Sequence, residues 1–232
     1  MNRKIEITFL ICTLGIFLAC NGPSERKLYD SQVLFDTSFW EVEQQPGGQV
    51  LFSDKGIEVL DSGGCTLWFK PELQGPLKIQ YDINVIDANG PYDRVSDMNV
   101  FWMASDPKNK ENLFFKGHNR TGQFKQYHEM ELYYVGCGGH NNTRTRFRRY
   151  NGIFERPLLA EHDLTSPDVL LTPNHTYTVQ LIADNGLVKY IRDGITIFEY
   201  KDDTPLNKGW FGFRIYKSHQ IISNFHVSGI VK

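Results

Sequence analysis

Four cysteines in 232 residues are too few for a disulfide-stapled scaffold. Cys12 lies in an apolar leader and Cys20 at its end, which leaves Cys65 and Cys137 as one bridge or as two separate thiols. After the leader no apolar run is long enough for a membrane-crossing helix. Charge of one sign is also missing: 25 Lys and Arg face 27 Asp and Glu, a net of −2. That balance excludes general affinity for nucleic acid or for anionic membrane surfaces. Metal-ligand spacings are absent, with no His-x-His, no His-Glu-x-x-His and no closely spaced cysteine pair. No cofactor is expected, although a structural calcium, which takes oxygen ligands from scattered positions, is left open. No glycine-rich loop leads into a helix that would cradle phosphate.

What the chain does have starts with Arg3 and Lys4, followed by an apolar run from Ile7 to Leu18. It is too short to span a bilayer and right for a secretory leader. Phe17-Leu18-Ala19-Cys20 resembles a bacterial lipobox, in which Cys20 becomes the lipidated first residue. The expected organisation is a signal peptide over 1–19, a polar linker over 20–28 and one domain over 29–232. A monomer is expected in the cell envelope, on the periplasmic face or the cell surface of the outer membrane. Its membrane contact would be through the lipid anchor only.

Beyond the leader, apolar residues recur mostly at every second position. Leu77, Ile79, Tyr81, Ile83 and Val85 alternate with Lys78, Gln80, Asp82 and Asn84, the pattern of a strand buried on one face. Tyr177, Val179 and Leu181 repeat it, as do Phe211, Phe213 and Ile215, and Gln220 to Val231 is again strand-like. Leu187 to Arg192 and Ile195 to Tyr200 flank Asp193-Gly194, a pair that tolerates the positive φ angles of a tight hairpin. Gly and Pro punctuate the chain too often for a long helix. Ten or more strands in one domain must stack as two sheets. The expected fold is all-β, a two-sheet antiparallel jelly-roll sandwich.

Three stretches carry a family resemblance. The first is Tyr133 to Tyr150, with Gly138-Gly139-His140-Asn141-Asn142-Thr143-Arg144-Thr145-Arg146-Phe147-Arg148-Arg149-Tyr150 at its heart. The second is the hairpin around Arg192-Asp193-Gly194. The third is Gly209-Trp210-Phe211-Gly212-Phe213-Arg214, leading into Ile222 to Val227. Together they resemble an uncharacterised exported Bacteroidota family with the concanavalin A-like lectin/glucanase fold, related to YesU-like and 3-keto-disaccharide hydrolase-type proteins. The resemblance covers nearly all of Tyr29 to Lys232. It implies the sandwich fold and a carbohydrate setting, with an oligo- or polysaccharide as partner.

The residues themselves point to chemistry from Gly136 to Tyr150. Three glycines in four residues let the backbone turn sharply, and His140, Asn141 and Asn142 follow on that loop. Alternation then sets Arg144, Arg146, Arg148 and Tyr150 on one strand face, with Thr145, Phe147 and Arg149 on the other. Arginines in a row repel unless they are solvated, paired with acids, or facing an anion. A guanidinium holds a carboxylate through two parallel hydrogen bonds, so a uronate-containing glycan suits the row. The plain alternative is a solvated edge strand with its charges paired. A second polar loop offers His118, Asn119 and Arg120. Tyr127, Glu129, Glu131 and Tyr133 share one face of the strand that follows it. Trp102 and Arg214 are further candidates, with Asp97, Asn99, Trp210 and Tyr216.

Two function classes fit. One is an enzyme, a polysaccharide lyase or glycosidase acting on an acidic glycan. A β-eliminating lyase needs a base, an acid and a neutraliser for the uronate. His140 or His118 would be the base, Tyr150 or Tyr133 the acid, and Arg146 with Asn142 would hold the carboxylate. Arg144, Arg148, Asn141, Asn119, Arg120, Glu131, Trp102 and Arg214 would bind substrate. Hydrolysis needs two carboxyl groups, and Glu129 and Glu131 would stand roughly 6–7 Å apart on one strand. The other class is a non-catalytic glycan-binding surface lipoprotein.

Overall fold

Strand alternation resolves into two antiparallel sheets in the computed structural model, which describes residues 24–231. The leader and the lipidation expected at Cys20 lie outside the described residues. The first sheet runs β13 (Ile195–Lys201), β12 (Leu187–Arg192), β11 (Thr176–Asp184), β6 (Leu77–Val85), β15 (His219–Val231), β4 (Gly56–Leu60) and β3 (Gln49–Ser53). β1 (Ser24–Tyr29) also pairs with β15. The second runs β10 (Asp163–Leu164), β9 (Arg144–Asn151), β8 (Glu131–Gly138), β7 (Met98–Ser105), β14 (Lys208–Ile215), β5 (Cys65–Gln74) and β2 (Trp40–Gln44). The Asp193-Gly194 hairpin closes as its residues suggest, both with positive φ. Residues 24–28, expected in a linker, instead lie in β1, where Ser24 pairs with Val231 and Lys27 with Ser228. Among the described residues no helix is long and apolar enough to cross a membrane.

The core lies between the sheets. Every second side chain of β6 (Leu77, Ile79, Tyr81, Ile83, Val85) is buried there against Phe211, Phe213 and Ile215 of β14. Aromatic rings meet edge to face, Tyr81 and Phe213 with centroids 4.8 Å apart. Cys65 and Cys137 are buried free thiols. The register explains why they cannot bond: Cys65 pairs with Ile215, Ile215 with Met98, and Met98 with Cys137. Three strand spacings separate them, about 14 Å, twice the reach of a disulfide.

A second apolar layer coats the outer face of the second sheet. Residues 106–130, between β7 and β8, fold back as a strap over Trp68, Phe101, Tyr134, Tyr150 and Trp210, contributing Leu113, Phe124, Tyr127 and Met130. Buried Glu43 anchors the strap, accepting from Arg120 Nε at 2.9 Å and from Tyr127 Oη at 2.7 Å. Arg214 holds it as well, donating to the Gly122 carbonyl at 2.7 Å. The strap covers β5, β14 and β7 and reaches Tyr134 of β8 and Tyr150 of β9, leaving open the part of the face around Gly136, Arg144 and Arg146.

The burial pattern predicts very unequal costs. Phe213→Ala empties a fully enclosed site and should cost about 3–5 kcal/mol in denaturant unfolding. Ile195→Ala, at a side chain 66% exposed, should change it by less than about 0.5 kcal/mol. Equal effects would contradict the assigned core.

Candidate functional site

The site is built from the turn that joins β8 to β9. Gly138 leaves β8 at φ 66°, and His140, Asn141 and Asn142 follow at 54°, 58° and 57°. Three successive non-glycine residues in the left-handed region cost on the order of 1–3 kcal/mol each unless the surroundings hold them. They are held. The Asn142 amide makes a two-way clamp on Leu171, donating to its carbonyl and accepting from its N–H, both at 2.8 Å. Arg94 donates twice to Asn141 Oδ1, at 2.7 and 3.1 Å. A Cβ at Gly138 would meet Leu171 at 2.4 Å, so the tight packing needs glycine there.

The strain has a consequence for His140. Its imidazole turns across the strand, and Arg146 Nη1 lies 2.8 Å from its Nε2. A guanidinium only donates, so Nε2 is the acceptor and the ring proton sits on Nδ1. Arg146 also makes a two-pronged bond to Asp163 on β10, at 2.9 and 3.0 Å, and Arg144 reaches the same carboxylate at 3.1 Å. The Arg146 hydrogen bond holds the Asp163 carboxyl below the usual carboxylate range, with Arg144 adding to it. Arg94 pairs with Asp97 at 3.0 Å. Arg148 donates to the Arg156 backbone carbonyl. The Arg156 guanidinium stands 5.3 Å over the Phe124 ring of the strap. Neither Arg148 nor Arg156 has an acidic partner among the described residues.

These side chains surround a hollow of about 310 Å³, near the lower end for small-ligand sites. Five guanidiniums (Arg94, Arg144, Arg146, Arg148, Arg156) face two carboxylates, Asp97 and Asp163, an excess of three positive charges. Tyr134 lies on the floor. It leans along its own strand so that a Cβ at Gly136 would stand 2.5 Å from its hydroxyl. Burial pushes the Tyr134 phenol well above its ordinary pKa, so it stays protonated as a donor at neutral pH.

The expected site residues divide. His140, Arg144, Arg146 and Arg148 line the hollow together, and Asn141 supports it through Arg94. Asn142 is spent on Leu171. Tyr150 is on the arginine face but fully buried under the second apolar layer. Tyr133 and Trp102 point the other way, into the core between the sheets, where Tyr133 donates to Asp202 at 2.7 Å. His118, Asn119 and Arg120 sit at the far end of the same face. One rung of paired residues, Arg146, Gly136, Asn99, Arg214, Thr66 and Glu43, crosses the sheet. Arg120 bonds its last member, about 24 Å from Arg146 by strand spacing. Both Arg120 and Arg214 are strap anchors with buried guanidiniums. Glu131 is outside the hollow, paired with Lys110 at 2.7 Å. Glu129 precedes β8 altogether, because Phe124–Tyr127 forms a 3-10 turn, and bonds Lys108. Among the described residues no group of three or more His, Cys, Asp or Glu side chains is placed to hold a metal ion.

Tyr134, Arg94, Arg156 and Phe124 are the lining residues not anticipated. For Tyr134 a signal existed: Tyr133, Val135 and Cys137 are in apolar phase, which sends Tyr134 to the arginine side. Behind the hollow, His128 is enclosed with neither ring nitrogen hydrogen-bonded, edge-on to Phe124 at 5.2 Å and to Phe154 at 5.1 Å. Burial, with the Arg156 and Arg148 cations, pushes its imidazole down to about 4.

A two-sheet β-sandwich of the lectin-like type is thus the class that this topology defines, and comparison with known proteins agrees. Over residues 59–225 the chain matches a family described as a domain of unknown function, DUF6250, and it belongs to that family. It is similar to the uncharacterized protein YesU of Bacillus subtilis (strain 168), 25% identical over 195 residues, covering 77% of this chain and 83% of that one. A solved Bacillus subtilis protein of unknown function with a galectin-like fold superposes with a TM-score of 0.70. It is 21% identical and covers 91% of this chain and 100% of its own. The carbohydrate binding module CBM66 from Bacillus subtilis superposes at 0.55, with 14% identity, covering 82% of this chain and 96% of its own.

His128 supplies a pH test. In the unfolded chain it takes a proton near pH 6.5, but in the fold only near 4. Stability from the neutral buried ring is complete above pH 6.5 and is lost as pH falls from there through 4. His128→Phe should therefore flatten the decline of the urea midpoint between about pH 6.5 and 4. An unchanged decline would show that another group carries it.

Proposed function

We propose that this protein binds the anionic unit of a saccharide in the arginine hollow. The observation that carries the reading is the surplus of positive charge, above all Arg148 and Arg156, which face the hollow without an acid of their own. The chain as a whole is slightly acidic, so the positive field is local and suits a small anion better than a polyanion surface. The saccharide part is supported by the family resemblance and by the likeness to a carbohydrate binding module. A carboxylate-bearing sugar fits the site's donors: guanidinium forks for the acid group and the Tyr134 hydroxyl for a ring oxygen. Lipid anchoring at Cys20, as expected from the leader, would place this binding at the cell envelope.

Catalysis by β-elimination is the second reading, and one observation favours it: the protonated Tyr134 phenol shares the hollow with the cations that would neutralise a uronate. Hydrolysis by a carboxyl pair has no such support, since Asp97 is the one acid lining the hollow and it is tied to Arg94 and Ser96.

Isothermal titration with uronate oligosaccharides tests the proposal. Arg148→Ala and Arg156→Ala should each weaken binding roughly 10- to 100-fold, the loss of one charged hydrogen bond, and added salt should weaken it further. Neutral oligosaccharides that bind as well as acidic ones would overturn it. An unsaturated product seen by ultraviolet absorbance, abolished by Tyr134→Phe, would establish the lyase reading.

A further inference from the structure

A second and larger hollow, about 640 Å³, opens beside the first. Arg148 lines both, and the consecutive residues Arg156 and Pro157 line one each, so a single chain segment is the wall between them. Their chemistry differs. Apart from the shared Arg148, the cations of the second hollow are matched one to one. Lys110 lies 2.7 Å from Glu131, and Arg149 lies 3.2 Å from Asp202. Asp202 is held in place by Tyr133 Oη at 2.7 Å and the Thr204 N–H at 3.0 Å. Burial alone would raise its carboxyl, but these hydrogen bonds, with that of Arg149, bring it below the usual range, so it is an acceptor. The same hollow is lined by the half-buried Tyr200 ring, which packs on the buried Phe147 ring with centroids 5.4 Å apart, and by Leu159, which is 46% exposed. An apolar patch beside fixed donors and acceptors, with no surplus charge beyond the shared Arg148, matches a neutral sugar ring with its C–H face and hydroxyl edge.

We infer that the two hollows are adjoining subsites for one oligosaccharide, with its anionic unit in the arginine hollow and a neutral unit in the balanced one. The inference rests on the anionic-saccharide reading and adds the ligand class, a heteroglycan in which acidic and neutral units are joined. Charge sets the direction of the chain. A neutral unit in the first hollow would leave Arg156 without an anion, and an acidic unit in the second would meet Glu131 and Asp202 beside the shared Arg148.

Calorimetric titration of the full chain with three probes tests this. The probes are a methyl uronate glycoside, a disaccharide of that uronate with a neutral hexose, and the same disaccharide with its carboxyl group reduced to an alcohol. The acidic disaccharide should bind at least about tenfold more tightly than the methyl uronate. Leu159→Ala and Tyr200→Ala should remove that gain while leaving affinity for the methyl uronate within about twofold, and Tyr200→Phe should keep it. Leu159 is partly exposed, so its variant reads the subsite even if Tyr200→Ala unfolds the edge of the core. Equal affinities for methyl uronate and disaccharide, or an equal loss of both in Leu159→Ala, would overturn the paired subsites while leaving the anionic reading standing. Binding of the reduced disaccharide as tightly as the acidic one would overturn the anionic reading itself.

Discussion

Five guanidiniums around one hollow repel one another, and the architecture of that end of the molecule is a response to the repulsion. Two like charges about 6 Å apart at an effective dielectric near 20 cost roughly 3 kcal/mol. Asp163, brought by the short edge strand β10, is shared by Arg144 and Arg146 and offsets one of their two charges. Asp97 compensates Arg94. Arg148 and Arg156 are held by a backbone carbonyl and an aromatic face instead, groups that orient a cation without cancelling it. The result is a set of positive charges fixed in place with their field left open to a ligand. Preorganisation of this kind reduces the ordering cost that binding would otherwise incur.

The strap and the turn keep that arrangement in register. Glu43, five strands away, holds Arg120 and Tyr127, and through them the segment that delivers Phe124 to the hollow. At the other side the left-handed turn delivers His140 and the Asn141 acceptor that steadies Arg94. Buried ion pairs are weak evidence for stability, but here they have a positional role: they decide which half of the sheet face is closed. The covered half is apolar and packed, and the uncovered half is polar and hollow.

Much of this was legible in the sequence. Period-two alternation identified β6, β11 and β14 and their buried faces, and Asp193-Gly194 marked its hairpin. The arginine face of β9 was legible because Thr145 and Phe147 occupy the opposite phase. Extending β8 back over Tyr127 to Met130 puts Tyr133 on the ligand side, whereas it faces the core between the sheets. Residues 127–130 belong to a 3-10 turn and the end of the strap, and such a segment has no periodicity to expose it. The partners of the site were illegible for another reason. Asp163 lies 17 residues from Arg146, and Arg94 lies 47 from Asn141. Pairings over such separations depend on where loops return, which local pattern does not record. His118 and Arg120 had the right side-chain chemistry in the wrong place, drawn to Glu43 at the far strand of the sheet.

The central claim is that the uncompensated guanidiniums are the ones a ligand meets. Side-chain NMR of the arginine Nε–Hε groups during titration with a uronate disaccharide reads it residue by residue. The account predicts that the Arg148 and Arg156 signals move together and saturate, while those of Arg120, buried within the strap, and Arg214, buried beneath it, stay where they are. Shifts confined to Arg120 and Arg214, or absent from Arg148 and Arg156 at saturation, would contradict it.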